Sequence, residues 1–306
     1  MITFDEAYKE YISYIKLKLK PTTILTKQYK INNYFLKYFS DMKINNFNEK
    51  IYIDWQNKIR DLNYSESFNN NLQSYIKIFF DYLYLNYKIE NIPRKIGNFK
   101  SFNVHEKKEI KTITYKDYKK LYKASKNNIM YNTLFEVLYF TGIRKGEILA
   151  LKWYDLNKKE ISINKNITKE CFNGKRIIQT PKSKNSIRKI KIDNKLYRKL
   201  KKLKKYYIKN NTFNKDNFIF GGNKPLATTT LDRYKDIYCN KANIPKYNIH
   251  AFRHGHATLL YEKKCDPKAI QKRLGHSNIE TTLNVYVHSN KEKRVMRTLN
   301  LIRFIF

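Results

Sequence analysis

Three short β-branched segments, "EISINKNIT" at 160–168, "KRIIQT" at 175–180 and "IRKIKI" at 187–192, interrupt a chain whose apolar residues otherwise recur every three or four positions. A strand needs a repeat near two and a helix one near 3.6, so this switch restricts the chain to helical bodies around one small sheet. "CFNGK" and "KSKNS" separate the segments as turns. The reading is therefore mainly α with a small three-stranded antiparallel β-sheet.

The N-terminal hundred residues carry helical stripes alone. Phe4, Tyr8, Tyr11, Ile12, Ile15 and Leu19 form the first, and Pro21 interrupts before a second helix that opens at Thr22 or Thr23 and runs to about Phe39. Two more follow, one marked by Ile51, Trp55, Ile59 and Leu62, the other by Phe68, Leu72, Ile76, Phe79 and Leu83. Four helices make a small bundle. Periodicity fails near Pro93 and Gly97, which places a linker at about 93–111 and divides the chain into domains at 1–100 and 112–306. Helices resume at "TYKDYKKLYKASK" and "IMYNTLFEVLYFTG", and return after the strands from about Asp193.

Charge selects the partner class. Against 26 acidic residues stand 63 basic ones, a net +37 that attracts polyanions, with nucleic acid first and an anionic membrane surface second. The abundance of Lys, Asn, Ile and Tyr is what an AT-rich coding sequence produces, and it weakens this imbalance without removing it. Cys171, Cys239 and Cys265 are scattered and form no CxxC pair, which argues against a zinc site or a disulfide framework. No stretch reaches the ~18 apolar residues of a membrane span, and the first twenty residues lack a signal-peptide core, so a cytoplasmic location is expected.

Chemistry concentrates in four places. "TGIRKGEILALKW" sets Arg144 behind a glycine turn at a helix start, where its fork can hold two phosphate oxygens or simply pair with Glu147 three residues on. "NIHAFRHGHATLL" puts His250 and Arg253 on one helix face, with His254 and His256 close by. His250 and His254 also stand at metal-ligand spacing, but no HExxH pattern or cysteine partner accompanies them, so neither metal nor cofactor is expected. Lys182 and Lys184 lie in or beside the turn before the last strand, either as groove-reaching cations or as an ordinary solvated tip. "LGHSNIETTLNVYVH" holds His276 and, ten residues later, Tyr286.

Taken in order, Arg144, the lysine turn, the HxxR pair, "LGH" and Tyr286 resemble the tyrosine recombinase or phage integrase family, in the branch that includes integrases of conjugative transposons. The resemblance is dense over 112–288 and rests on helix pattern over 1–100, which look like the family's core-binding domain. It implies that Arg144 and Arg253 grip the scissile phosphate, that Lys182 (or Lys184) protonates the leaving 5′ oxygen, and that His250 and His276 complete the site. Tyr286 would be the nucleophile, and Glu147 would orient Arg144. Phe252 departs from the family's usual leucine in HxLRH, which touches packing and leaves the chemistry intact. Implied partners are double-stranded DNA with inverted half-sites and a homotetramer on two DNA sites, an accessory DNA-bending or directionality factor being optional. Because no arm-binding domain precedes the bundle, a Xer-like dimer resolvase or an invertase stays open beside an integrase. A nonenzymatic DNA-binding protein on the same fold is a remote alternative, as is a type IB topoisomerase. In the tail, Val295, Leu299, Ile302 and Phe306 mark an apolar stripe that either closes its own domain or docks on a neighbouring protomer. If about ten phosphates are neutralised, the slope of log affinity against log salt on duplex DNA is expected near −9, and a salt titration yielding a slope near zero would contradict the charge reading.

Overall fold

The computed structural model describes residues 2–99, 112–172, 175–181, 184–280 and 282–283. They belong to two compact units, Met1–Glu109 and Ile110–Phe306.

The first unit begins with α1 (Phe4–Lys16), started by a reciprocal cap in which Thr3 Oγ1 accepts the Glu6 N–H and Glu6 accepts the Thr3 N–H. Its stripe buries Phe4, Tyr8, Tyr11, Ile12 and Ile15. Pro21 opens α2 (Pro21–Ile31), which continues through a π turn, Asn32–Leu36, into α3 (Lys37–Phe39). Sequence periodicity reads this as one helix; the wider turn adds that the Tyr34 carbonyl within it accepts from Trp55 Nε1 at 2.7 Å. Trp55 lies on α4 (Glu49–Asp61) and packs edge-on against Phe35, while α5 (Glu66–Tyr87) supplies Phe79 and Phe80 to the same aromatic core. A short α6 (Ile92–Ile96) occupies the start of the expected linker. Pro93 and Gly97, read as breakers, are its beginning and its end. Burial of Ile92 and a two-pronged Arg94–Asp81 pair hold this turn in the first unit.

The second unit is built around α8 (Ile129–Thr141), buried along most of its length, with α7 (Tyr115–Ala124) beside it through a Tyr118–Tyr139 stack at 4.1 Å. A left-handed Gly142 (φ 62°) ends α8 and leads to α9 (Lys145–Ala150). Strands β1 (Leu156–Asn157), β2 (Glu160–Ile163) and β5 (Arg188–Lys191) form a three-stranded antiparallel sheet; β3 (Asn166–Phe172) and β4 (Lys175–Gln179) form a separate hairpin. Thus the expected sheet exists with different members. "EISINKNIT" divides at Asn164–Lys165, where Lys165 Nζ turns aside to the buried Asp155 carboxylate at 2.5 Å, and its second half pairs with 175–179 alone. Helices α10 (Asn194–Lys209), α11 (Thr228–Lys241), α12 (Ile249–Glu262) and α13 (Pro267–Leu274) complete the unit.

What keeps the hairpin on α9 is the missing side chain of Gly146. A Cβ there would stand 2.2 Å from Asn166 Oδ1 and 2.4 Å from the Ile167 carbonyl oxygen. Gly146→Ala must therefore displace β3, and a loss of about 1–3 kcal/mol is expected in denaturant melts; an unchanged midpoint would show that the contact is slack.

Candidate active site

An α-helix leaves its last four carbonyls without partners in its own ladder and carries partial negative charge at that end. In α13 these carbonyls face three arginines from three different elements. Arg188 of β5 donates through Nε to the Arg273 carbonyl at 2.8 Å, Arg253 of α12 through Nη2 to Leu274 at 2.9 Å, and Arg144 at the start of α9 through Nη2 to Gly275 at 2.8 Å. Arg253 also reaches back through Nη1 to the Gly142 carbonyl at the end of α8, 2.9 Å away. It thereby ties two helix C-termini together.

Two glycines make the approach close enough. Gly275 is left-handed (φ 70°), and a Cβ on it would lie 2.9 Å from the Asn185 carbonyl oxygen and 3.2 Å from Arg188. A Cβ on Gly142 would meet Leu274 at 2.6 Å and the His256 ring at 2.9 Å.

One carboxylate serves the cluster. Glu147, 2 % exposed, accepts the Arg144 main-chain N–H at 3.0 Å and Arg144 Nη1 at 2.9 Å, and takes both prongs of Arg188 at 3.0 and 2.9 Å. Desolvation raises the Glu147 pKa, but hydrogen bonding and charge from Arg188, with help from Arg144, outweigh it and hold the group below its ordinary value. Burial, then the charges of Arg144 and Arg188, lower the Arg253 guanidinium to about 9, which leaves it a cation at neutral pH.

The histidines respond in the opposite sense. His276 follows Gly275, with Nδ1 at 2.8 Å from Thr282 Oγ1, and desolvation followed by the charges of Arg253 and Arg144 pushes it down to about 3. His250 stands one turn before Arg253, exposed, and is lowered by desolvation, His254, Arg253 and Arg144. Both imidazoles are neutral at pH 7 and so act as hydrogen-bonding groups, adding no further charge. The rings of His250 and His254 touch at 4.7 Å, and no group of three metal-capable side chains occurs among the described residues.

Of the sequence-derived candidates, Arg144, Arg253 and His276 meet at the end of α13, and the charges of Arg253 and Arg144 act on His276 and on His250. Lys182 and Tyr286 lie outside the described residues, and Lys184 begins the 3-10 turn Lys184–Ser186 that ends just before Arg188. Phe252 is fully buried and stacks on Phe135 of α8 at 6.0 Å, which absorbs its extra volume. Sequence reasoning missed Arg188 and Arg273. Arg188 had a signal: it shares a strand face with buried Ile190, so an inward charge there demanded an acidic partner. Arg273 donates to the buried His256 Nε2 at 3.0 Å and to the Phe140 and Lys191 carbonyls, and this locks α13 to α8 and β5.

With the site in view, residues 111–293 match the phage integrase family and residues 3–60 match the N-terminal SAM-like domain of phage integrase. The chain belongs to the phage integrase family. It is a tyrosine recombinase. Among its relatives, the ICEBs1 integrase of Bacillus subtilis is 27% identical over 98% of this chain and 83% of that protein. A XerC-like tyrosine recombinase of Caldanaerobacter subterraneus is 35% identical over 63% of this chain and 54% of its own length. The fold is similar to that of the Tn1549 transposon integrase in complex with transposon right end DNA, at a TM-score of 0.76 and 20% identity, covering 95% of this chain and 98% of that one. Among the described residues no helix is long and apolar enough to cross a membrane.

Two histidines pushed down to about 3, His256 by desolvation and Arg273, and His276 as above, make stability depend on pH. Below their ordinary value of 6.5 the unfolded chain takes up protons that the folded chain refuses, so stability is complete above that pH and declines as pH falls toward 3. Glu147 joins only below 4.5, its ordinary value. Melting temperature is expected to fall between about pH 7 and about pH 5, and His256→Gln should flatten the decline; a flat wild-type profile over that range contradicts the burial of neutral histidines.

Proposed function

We propose that the protein inserts and excises a mobile element, with residues 1–100 as a helical core-binding domain and 112–306 as the catalytic domain. Tyr286 attacks the scissile phosphorus, the bond from phosphorus to the 5′ oxygen breaks, and a 3′-phosphotyrosyl link forms. Lys182 supplies the proton to the leaving 5′ oxygen. The phosphoester bond energy is kept in the link, so a 5′ hydroxyl rejoins the strand without ATP. Arg144 and Arg253 stabilise the negative charge that gathers on the nonbridging oxygens, and His250 and His276 donate hydrogen bonds to them. The observation that carries this reading is the convergence of Arg144 and Arg253 on the end of α13, beside His276, with two N–H groups of each guanidinium committed to protein among the described residues.

Likeness to the integrases of ICEBs1 and Tn1549 favours a mobile element as the DNA acted upon. The XerC-like relative supports a second reading, resolution of chromosome or plasmid dimers. Either task calls for duplex DNA with inverted half-sites and a homotetramer on two such sites in the cytoplasm, with an accessory bending or directionality factor as an optional partner. The apolar stripe from Val295 to Phe306, which lies outside the described residues, is proposed to dock on a neighbouring protomer.

Nicked duplexes from the flanks of the encoding gene trap the intermediate, and their sequence separates element ends from a dimer-resolution site. Tyr286→Phe is expected to abolish the covalent adduct while half-site affinity stays within about twofold, since one hydroxyl leaves a largely electrostatic interface. An adduct that persists, or maps to another tyrosine, overturns the nucleophile. Lys182→Ala should be rescued by sulfur in place of the 5′ bridging oxygen, a leaving group that needs no proton; rescue of Lys184→Ala instead moves the acid by two positions.

A further inference from the structure

Arg144, Arg188 and Arg253 all point at the end of α13, yet they spend their donors differently. A guanidinium has five N–H groups. Arg188, whose side chain is 5 % exposed, commits four of them to protein: Nε to the Arg273 carbonyl, Nη1 to Glu147 and to the Ser186 carbonyl at 2.9 Å, and Nη2 to Glu147. Arg144 and Arg253 commit two each among the described residues. A residue so fully engaged has little left for a phosphate.

We infer that Arg188 is a positioning residue for strand cleavage, one that sets the angle of Arg144 through Glu147 and couples it to the Lys184–Ser186 turn and to the end of α13. Its two parallel prongs fix the plane of the Glu147 carboxylate. The same two oxygens accept the Arg144 main-chain N–H and its guanidinium, so the plane of one arginine is transmitted to the other. The bond to Ser186 closes the 184–186 turn in which the candidate acid's neighbours lie, and the bond to Arg273 fixes the helix end that precedes His276. A lysine has the charge but neither the fork nor the donors to reach three elements at once.

The inference rests on the proposed phosphate-gripping role of Arg144, and the test separates the two. Cleavage is measured for full-length wild type, Arg188→Lys and Arg188→Met on two mapped nicked duplexes, one with the natural scissile phosphate and one with an uncharged methylphosphonate in its place. Melting curves and half-site gel shifts check folding. Arg188→Lys is expected to melt and bind nearly as wild type and to cleave the phosphate at least about 100-fold more slowly, the order of loss that a small misplacement of a reacting group causes. On the methylphosphonate, which has no anionic oxygen for Arg144 to neutralise, the penalty should shrink to within about tenfold. Equal loss on both substrates, or no loss on either, overturns the inference, as does failure of both variants to fold, because Arg188 would then be a purely structural brace. A wild type that forms no adduct with the flanking DNA removes the recombinase reading first and this inference with it.

Discussion

Carbonyls left over at the end of an eight-residue helix gather the arginine cluster of the second unit. Each bond from an arginine to α13 is worth on the order of 1 kcal/mol, the usual scale for a cation at a helix C-terminus. Glu147 carries the larger share, since removing one partner of a buried charge pair costs about 3–5 kcal/mol. The division of labour is clear. Glu147 makes it tolerable to bring guanidinium groups together, and the carbonyls set where each one points.

A cluster with three guanidinium groups around one buried carboxylate is short of negative charge. Among the described residues the hydrogen-bond partners of these three groups are Glu147 and main-chain carbonyls, and the neutral state of His250 and His276 avoids making the deficit worse. Under the proposed strand cleavage, the phosphate that gathers charge during displacement supplies the missing charge, and the donors that meet it are already held by helix ends. In that proposed reaction, rigidity at α8 and α13 acts as electrostatic preorganisation. The same economy explains Gly142 and Gly275, whose hydrogens are the only substituents that fit between the packed elements.

Much of this was readable in one dimension. Arg144 behind the glycine turn, with Glu147 three residues on, follows from the geometry of a helix start and is found there, and His250 and Arg253 lie on one helix as read, the first exposed and the second buried. The expected sheet was misassembled because β propensity marks strands without marking partners. "EISINKNIT" was split by the Lys165–Asp155 pair, an interaction between a residue inside the segment and one before it. Pro93 and Gly97 misled in the same manner, since helix punctuation and linker composition use the same letters.

The order of motifs from Arg144 to Tyr286, the charge excess and the helical periods point to the family that the match over residues 111–293 shows, because these depend on residue type and spacing alone. Which group meets which was decided only by the tertiary fold. Arg144 finds its carbonyl 131 residues away and Arg253 finds Gly142 at a distance of 111, while Arg188 reaches Glu147 across 41. Periodicity extends over a few turns and carries no information at such separations. The partner of a buried charge is therefore settled by the packing of α8, α9, α12, α13 and β5, and an arginine such as Arg188, inconspicuous among 63 basic residues, acquires its meaning only there.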